Sequence, residues 1–258
     1  MEELNQKILS LSKELQQKVI SLGEVAETFR RAMEEKKPIC HVCAGDGEMF
    51  FVSHQEIPIF NDFPAGLKIY YPFIADYRDE VLNGILSSDI IGIFQEWLPT
   101  AVFFDYYSIP VERYCFCDGF IGRGLHFSGL LYTTILKNKR VYLLGNEVHH
   151  LLPFLEKYQI ELAGHTKVNY FQDIPRIKEC LSKVDFDFAL LSAGIPTLVL
   201  GPWIKRTLGR CALDFGGTIH YIQNTMDLIG VKPNDLNIYN PDAKSRFSLP
   251  DEISALLR

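Results

Sequence analysis

Two carboxylates stand two residues apart in Gly45-Asp46-Gly47-Glu48, directly behind an apolar, β-forming run at 39–43. On a strand feeding a turn, residues i and i+2 project to the same side. Read that way, Asp46 and Glu48 can grip one hard cation that also holds a diphosphate, because Mg²⁺ and Mn²⁺ favour carboxylate and phosphate oxygens. Gly45 and Gly47 would let the backbone approach such a ligand closely and adopt positive φ. The plain alternative is a DG turn with Glu48 as its solvated flank. Choosing between the two depends on what else the chain brings to the same place.

The elements that must do the positioning follow from hydrophobic period and turn residues. Residues 2–36 carry a helical stripe (Leu4, Ile8, Leu11, Leu15, Val19, then Val25, Phe29, Met33) with a break near Ser21-Leu22-Gly23. Strands are expected at 39–43, 89–94, 113–117, 140–144, 160–163, 186–192 and 211–215. Helices are expected at 76–86, 128–136, 146–158, 173–183, from Pro196 towards 209, and from 217 to 229. Residues 55–75 read as an irregular segment, 103–107 is ambiguous, and 118–124 reads as a glycine-rich loop carrying Arg123. Strands alternating with helices of about ten residues imply crossover units. The expected fold is therefore α/β, Rossmann-like, with a mostly parallel sheet flanked by helices. An N-terminal helical extension at 1–37, one domain at 38–231 and a surface tail at 232–258 complete the expected organisation. The first helix is expected to pack on the core.

Composition narrows the function. With 47% hydrophobic and 22% charged residues the chain is of ordinary globular type, and a formal net charge of −6 argues against a nucleic-acid partner. The charged first turns are unlike a signal peptide, no apolar run approaches the ~20 residues of a membrane span, and six cysteines form no disulfide-like framework. Those features together suggest the cytoplasm.

In an open parallel sheet, ligands bind beyond the carboxyl ends of the strands. Asp46/Glu48, Arg123, Gly145-Asn146-Glu147 and Ser192-Ala193-Gly194-Ile195-Pro196-Thr197 all follow predicted strands, and the last group is a plausible anion site of backbone N–H groups. Together with FALLSAGIPTLVLGPWIKRTLGRCALDFGG near the C-terminus, this set resembles the GT-D-fold glycosyltransferases over about 39–221. The resemblance implies a metal-dependent glycosyltransferase, with a nucleotide-sugar donor (a UDP-sugar favoured) and a glycan, lipid-linked saccharide or glycoprotein acceptor. It implies that Asp46 and Glu48 hold Mn²⁺ or Mg²⁺ and that Arg123 clamps phosphate. Ser192, Gly194 and Thr197 would line the donor pocket, and Asn169 falls where the family often carries asparagine. Two departures stand out. Gly217 replaces the histidine that commonly follows ALD-x-G, with His220 three residues later, and Ile195 separates Gly194 from Pro196.

A general base would serve the transfer. Asp118, Glu147, His149, His150 and Asp214 are candidates, with Asp214 placed ahead because it follows a strand. Other readings are weaker. Cys40-His41-Cys43 and Cys115-Cys117 invite zinc, but strand neighbours face opposite ways. His149 and His150, adjacent on an expected helix, would point about 100° apart and make a poor joint metal site. A dinucleotide oxidoreductase lacks its G-x-G-x-x-G, since Phe127 occupies the third glycine position. An idle sugar-binding scaffold of the same fold is the main rival. The N-terminal helices could meet a partner enzyme or a membrane face.

Overall fold

A computed structural model of the 258-residue chain describes residues 2–54, 56–57, 73–94, 98–220 and 222. Seven strands form one sheet in the order β3-β2-β1-β7-β6-β4-β5, every neighbouring pair parallel. They are β1 (Cys40–Cys43), β2 (Ile90–Ile93), β3 (Cys115–Asp118), β4 (Arg140–Gly145), β5 (Glu161–Thr166), β6 (Phe188–Ser192) and β7 (Cys211–Asp214). The chain runs outward from β1 to β3, then crosses to the other half of the sheet. The crevice beyond the β1 and β7 carboxyl ends is thus the topological switch point, where such sheets bind ligands.

The N-terminal stripe forms two helices, α1 (Glu2–Gln17) and α2 (Leu22–Glu34). Ser21 divides them because it is an N-cap: its Oγ accepts from Glu24 N–H at 3.3 Å and Glu24 Oε2 accepts from Ser21 N–H at 2.7 Å. Between the helices, Val19 pairs with Phe116 and Ile20 N–H donates to Phe116 O at 2.8 Å, covering the outer edge of β3. Helix α2 buries Leu22, Val25, Ala26 and Phe29 in the core on one sheet face. On the other face α3 (Asp46–Ser53), α4 (Ala75–Leu86), α5 (Leu98–Tyr106) and α9 (Thr197–Trp203) close the larger cluster, and α1 lies on α5. Helices α6 (Ile121–Phe127), α7 (Leu152–Lys157) and α8 (Ile174–Leu181) complete the layers.

Several expectations need correction. Residues 46–53 are helix, not a turn after a strand. The ambiguous 103–107 lies largely in α5, whose Phe103 and Phe104 are fully buried. The expected loop at 118–124 is half helix: α6 starts at Ile121, and its glycines are there for contact rather than for a turn. A Cβ on Gly122 would lie 2.8 Å from Thr218 Oγ1 and 2.9 Å from Phe215 O. The helix expected at 146–158 is a 3₁₀ turn (Val148–Leu151) followed by α7. The expected helix from Pro196 ends in a π-helical segment (Ile204–Leu208), and β5 runs to Thr166 rather than stopping at 163. The expected irregular segment lies largely outside the described residues, as does nearly all of 221–229 and the whole tail at 232–258.

Helices α4 and α9 meet at Gly84, where an added Cβ would stand 1.9 Å from Leu198 O. Alanine gains roughly 1 kcal/mol of helix propensity but forces two helices apart, an overpacking cost of ~1–3 kcal/mol or more. Gly84→Ala is expected to lower stability by about 2 kcal/mol, read as a lower urea midpoint at unchanged slope. An unchanged midpoint would mean that the helices do not touch there.

Candidate active site

A cleft of about 230 Å³ opens at the switch point, lined from five directions. Strand β1 and the start of α3 supply Cys43, Gly45, Asp46 and Glu48. The β2 and β3 ends supply Phe94, Gly119 and Phe120; α6 supplies Gly122 and Arg123; β6 and its exit supply Ser192 and Gly194. Asp214, the glycines after it, Thr218 and His220 close the remaining side. Of the residues singled out from sequence, the cleft gathers Gly45, Asp46, Glu48, Arg123, Ser192, Gly194 and Asp214. Gly47 is buried in the first turn of α3, and Thr197 is buried in α9 with no hydrogen-bond partner for its hydroxyl among the described residues. Asn169 lies beyond the outermost strand, its N–H donating to Asp173 at 2.8 Å.

The helical backbone at 46–53 changes what the two carboxylates do. Gly45 is the N-cap and Glu48 occupies N3, turning back so that Oε2 accepts from Gly45 N–H at 3.1 Å. Asp46 Oδ1 accepts from Gly47 N–H at 2.9 Å. The pair shares the cleft because both stand in the first turn of α3, not because strand alternation aligns them. A helix N-terminus also favours anions. A Cβ on Gly45 would lie 2.8 Å from the Glu48 carboxylate, so only glycine leaves it this rotamer.

Asp214 is the hinge of the site. It is 5% exposed, with Oδ2 accepting from Cys43 N–H at 3.1 Å and Oδ1 from Gly216 N–H at 2.8 Å. It therefore ties the β1 and β7 exits together at the mouth of the cleft. Ser192 Oγ donates to Gly216 O at 2.8 Å, adding β6 to the same knot. Gly216 and Gly194 both have positive φ, +54° and +62°, which suits these tight exits to glycine.

Burial pushes the Glu48 carboxyl up to about 8, with the Asp214 and Asp46 charges adding to the effect. Glu48 still has an opening into the cleft, so solvent relieves part of that penalty. Burial also raises Asp214 to about 7, against the lowering effect of its two backbone donors. Arg123, stacked 4.0 Å over the Phe120 ring, is the Lys or Arg side chain among the described lining residues. A cleft with more carboxylate than cation, walled by oxygen donors, has the donor chemistry that Mg²⁺ or Mn²⁺ selects. The three carboxylates do not all converge within 4.8 Å; among the described residues only Glu147, His149 and His150 do. An ion here would complete its shell with water and substrate oxygens, the usual habit of Mg²⁺.

Sequence reasoning passed over Phe94, Phe120, Cys43 and Thr218 as lining residues. His220, displaced from the position a histidine commonly takes, still lines the cleft because a helical turn starting at 218 carries it back.

A seven-stranded parallel α/β sheet with an acidic cleft at its switch point defines the class. The chain belongs to the GT-D fold-like domain family, which matches residues 20–222 and so includes α2. Three solved structures share the fold. The first is that of the highly conserved domain of unknown function 1792, described as having a distinct glycosyltransferase fold (TM-score 0.54, 15% identity, covering 96% of this chain and 98% of that one). The second is a selenomethionine-substituted structure of domain of unknown function 1792 (0.53, 15%, 96% and 98%). The third is a glycosyltransferase of the same domain type from Streptococcus sanguinis (0.51, 14%, 92% and 97%). No curated protein matches the sequence. No described helix is long and apolar enough to cross a membrane.

Proposed function

We propose that the protein is a metal-dependent glycosyltransferase that moves a sugar from a nucleotide-sugar donor, a UDP-sugar by preference, to a glycan, lipid-linked saccharide or glycoprotein acceptor. The observation that carries this reading is the convergence of Asp46, Glu48 and Asp214 on the switch-point cleft, with Arg123 in the same wall. Asp46 and Glu48 would hold Mn²⁺ or Mg²⁺, and such an ion supplies charge neutralisation for a departing nucleoside diphosphate. Arg123 offers a planar, bidentate partner to phosphate, and the stacking of its guanidinium on the Phe120 ring limits the rotamers it samples. Gly45, Ser192 and Gly194 shape the donor side through backbone groups, because the Ser192 hydroxyl is already spent on Gly216 O.

Asp214 has both oxygens engaged by backbone N–H groups, so we assign it to fixing the strand exits and holding negative charge beside Glu48 rather than to taking a proton from the acceptor. Gly47, Asn169 and Thr197 receive no donor contact in this assignment. Six cysteines, all free, fit a reducing cytoplasm. Any peripheral contact with a partner enzyme or membrane face is assigned to the N-terminal helices, where Leu9 is half-exposed.

Calorimetric titration of UDP, GDP and CDP, each with and without Mn²⁺, tests the reading on wild type and on Asp46→Ala/Glu48→Ala. Metal-dependent binding of one nucleotide, strongest for UDP and lost in the double variant, is the expected result. A folded wild type that binds none of them under any metal condition would overturn it in favour of an idle scaffold.

A further inference from the structure

Beyond the cleft, the carboxyl edge of the sheet carries a second cluster of ligating side chains. Gly145 ends β4 at φ +144°, packed so closely on β6 that a Cβ there would lie 2.1 Å from Ser192 O. The chain then turns through the 3₁₀ segment Val148–Leu151. A 3₁₀ helix has three residues per turn, so residues i and i+3 eclipse. Val148 and Leu151, three apart, point inward and are buried. Glu147 and His150, also three apart, fall on the outward side with His149 next to them. The anchored apolar pair fixes the backbone that presents the polar trio. His149 and His150, expected to diverge on a helix, instead bring their rings to 4.1 Å between centroids.

The spacing is that of an ion's ligand shell. His150 Nε2 is 3.5 Å and His149 Nε2 3.9 Å from Glu147 Oε2, and one ligand atom from each of the three lies within 4.8 Å of the others. A tetrahedral ion with ligands at ~2.1 Å sets neighbouring ligands roughly 3.4 Å apart. Small rotations of the Glu147 and His149 side chains close the difference. His150 Nε2 is also shielded from solvent and has no hydrogen-bond partner among the described residues, an orphan that ligation would satisfy. At 3.5 Å the carboxylate is too far to serve as a good hydrogen-bond acceptor.

We propose that Glu147, His149 and His150 form a binding site for Zn²⁺, distinct from the Asp46/Glu48 cleft. Two imidazoles and one carboxylate suit zinc and its borderline neighbours, not Mg²⁺, which selects oxygen-only shells. Three protein ligands leave a fourth position open to water or an anionic ligand. The site stands one strand over from Ser192, on the same sheet edge as the cleft. It rests on its own residues and not on the glycosyltransferase reading.

The test is Zn²⁺ calorimetry and Co²⁺ absorption on the full chain stripped of metal. Wild type and Asp46→Asn/Glu48→Gln are each expected to bind one Zn²⁺ equivalent at this site. His149→Ala/His150→Ala should bind at least tenfold more weakly. The Co²⁺ form should show tetrahedral visible bands without thiolate charge transfer, which separates this trio from the cysteines. If the double variant does not fold, His149→Ala alone carries the comparison, since that side chain is 58% exposed. Undiminished binding in the histidine variants, thiolate bands, or a wild type that binds no Zn²⁺ would each overturn the proposal.

Discussion

Replacing Glu48 with glutamine is expected to make the metal-free protein more stable at pH 8.5 while cutting donor turnover by at least ~10²-fold, the scale seen when one group that stabilises developing charge is removed. The two effects share one cause. Burial, then the Asp214 charge, then the Asp46 charge raise the Glu48 carboxyl to about 8, so at pH 8.5 its ionised form strains the fold. Glutamine removes that charge and keeps a carbonyl oxygen to accept the Gly45 N–H that caps α3. A residue retained at a cost in stability is the familiar signature of a functional site. Asp46→Asn separates the effects: it removes only the smaller of the two charges that raise Glu48, so it should impair metal-dependent nucleotide binding with a smaller gain in stability than Glu48→Gln. Thermal melts in chelator and nucleotide titrations with Mn²⁺ read both quantities. A Glu48→Gln protein that melts below wild type, or that keeps Mn²⁺-dependent UDP binding, would show that Glu48 is a structural cap and nothing more.

Much of the sheet was legible because its strands are short apolar runs between turn signals, and 188–192 and 211–214 emerge within the expected limits. The place of the site was legible too, since the residues after β1, β3, β6 and β7 all lie on one edge. The backbone that carries Asp46 and Glu48 was not read correctly, although its signal was present: glycine at N-cap and glutamate at N3 form a capping pattern ahead of the apolar run 49–52. Arg123 was placed on a loop because glycines usually mark turns, whereas Gly122 serves close contact with the chain after β7. The expected divergence of the histidine pair rests on α-helical angles, which the 3₁₀ segment does not have. Pro153 held the clue: a proline inside a helix clashes with the carbonyl four residues back, which here is that of His149. The α-helix therefore starts at Leu152 with Pro153 in its first turn, and the preceding segment is left to the tighter 3₁₀ turn. Strand order was beyond sequence reasoning, because the crossing from β3 to β4 depends on which sheet edge the later helices can cover.

In chelator, unfolding free energy is expected to form a plateau between about pH 4.5 and 6.5 and to fall on both sides. Two buried histidines set the acid side. His41, on β1, is 1% exposed, and neither ring nitrogen has a side-chain partner among the described residues; His126, fully buried, shares 2.6 Å with the Tyr132 hydroxyl through Nδ1. Burial depresses both to about 3. The unfolded chain takes up these protons near pH 6.5 and the folded chain does not, so their contribution is complete above pH 6.5 and is lost as pH falls towards 3. Asp214 and Glu48 act with opposite sign. Their folded pKa values, about 7 and about 8, lie above those of the unfolded chain, so their contribution is complete below about pH 4 and is lost as pH rises through 7 and 8. Each group contributes a slope of ~1.4 kcal/mol per pH unit where it is protonated in only one of the two states. Two groups of each sign overlap between 4.5 and 6.5, and their slopes cancel there. Mn²⁺ favours the ionised carboxylates, so at saturation it should flatten the alkaline arm and leave the acid arm in place. His41→Leu, which removes a buried imidazole that no side chain among the described residues satisfies, should reduce the acid arm by about half at little cost in stability near pH 7. Urea unfolding from pH 4 to 9, with and without Mn²⁺, gives both arms. An alkaline arm that Mn²⁺ leaves untouched would mean that the cation does not meet these carboxylates at all.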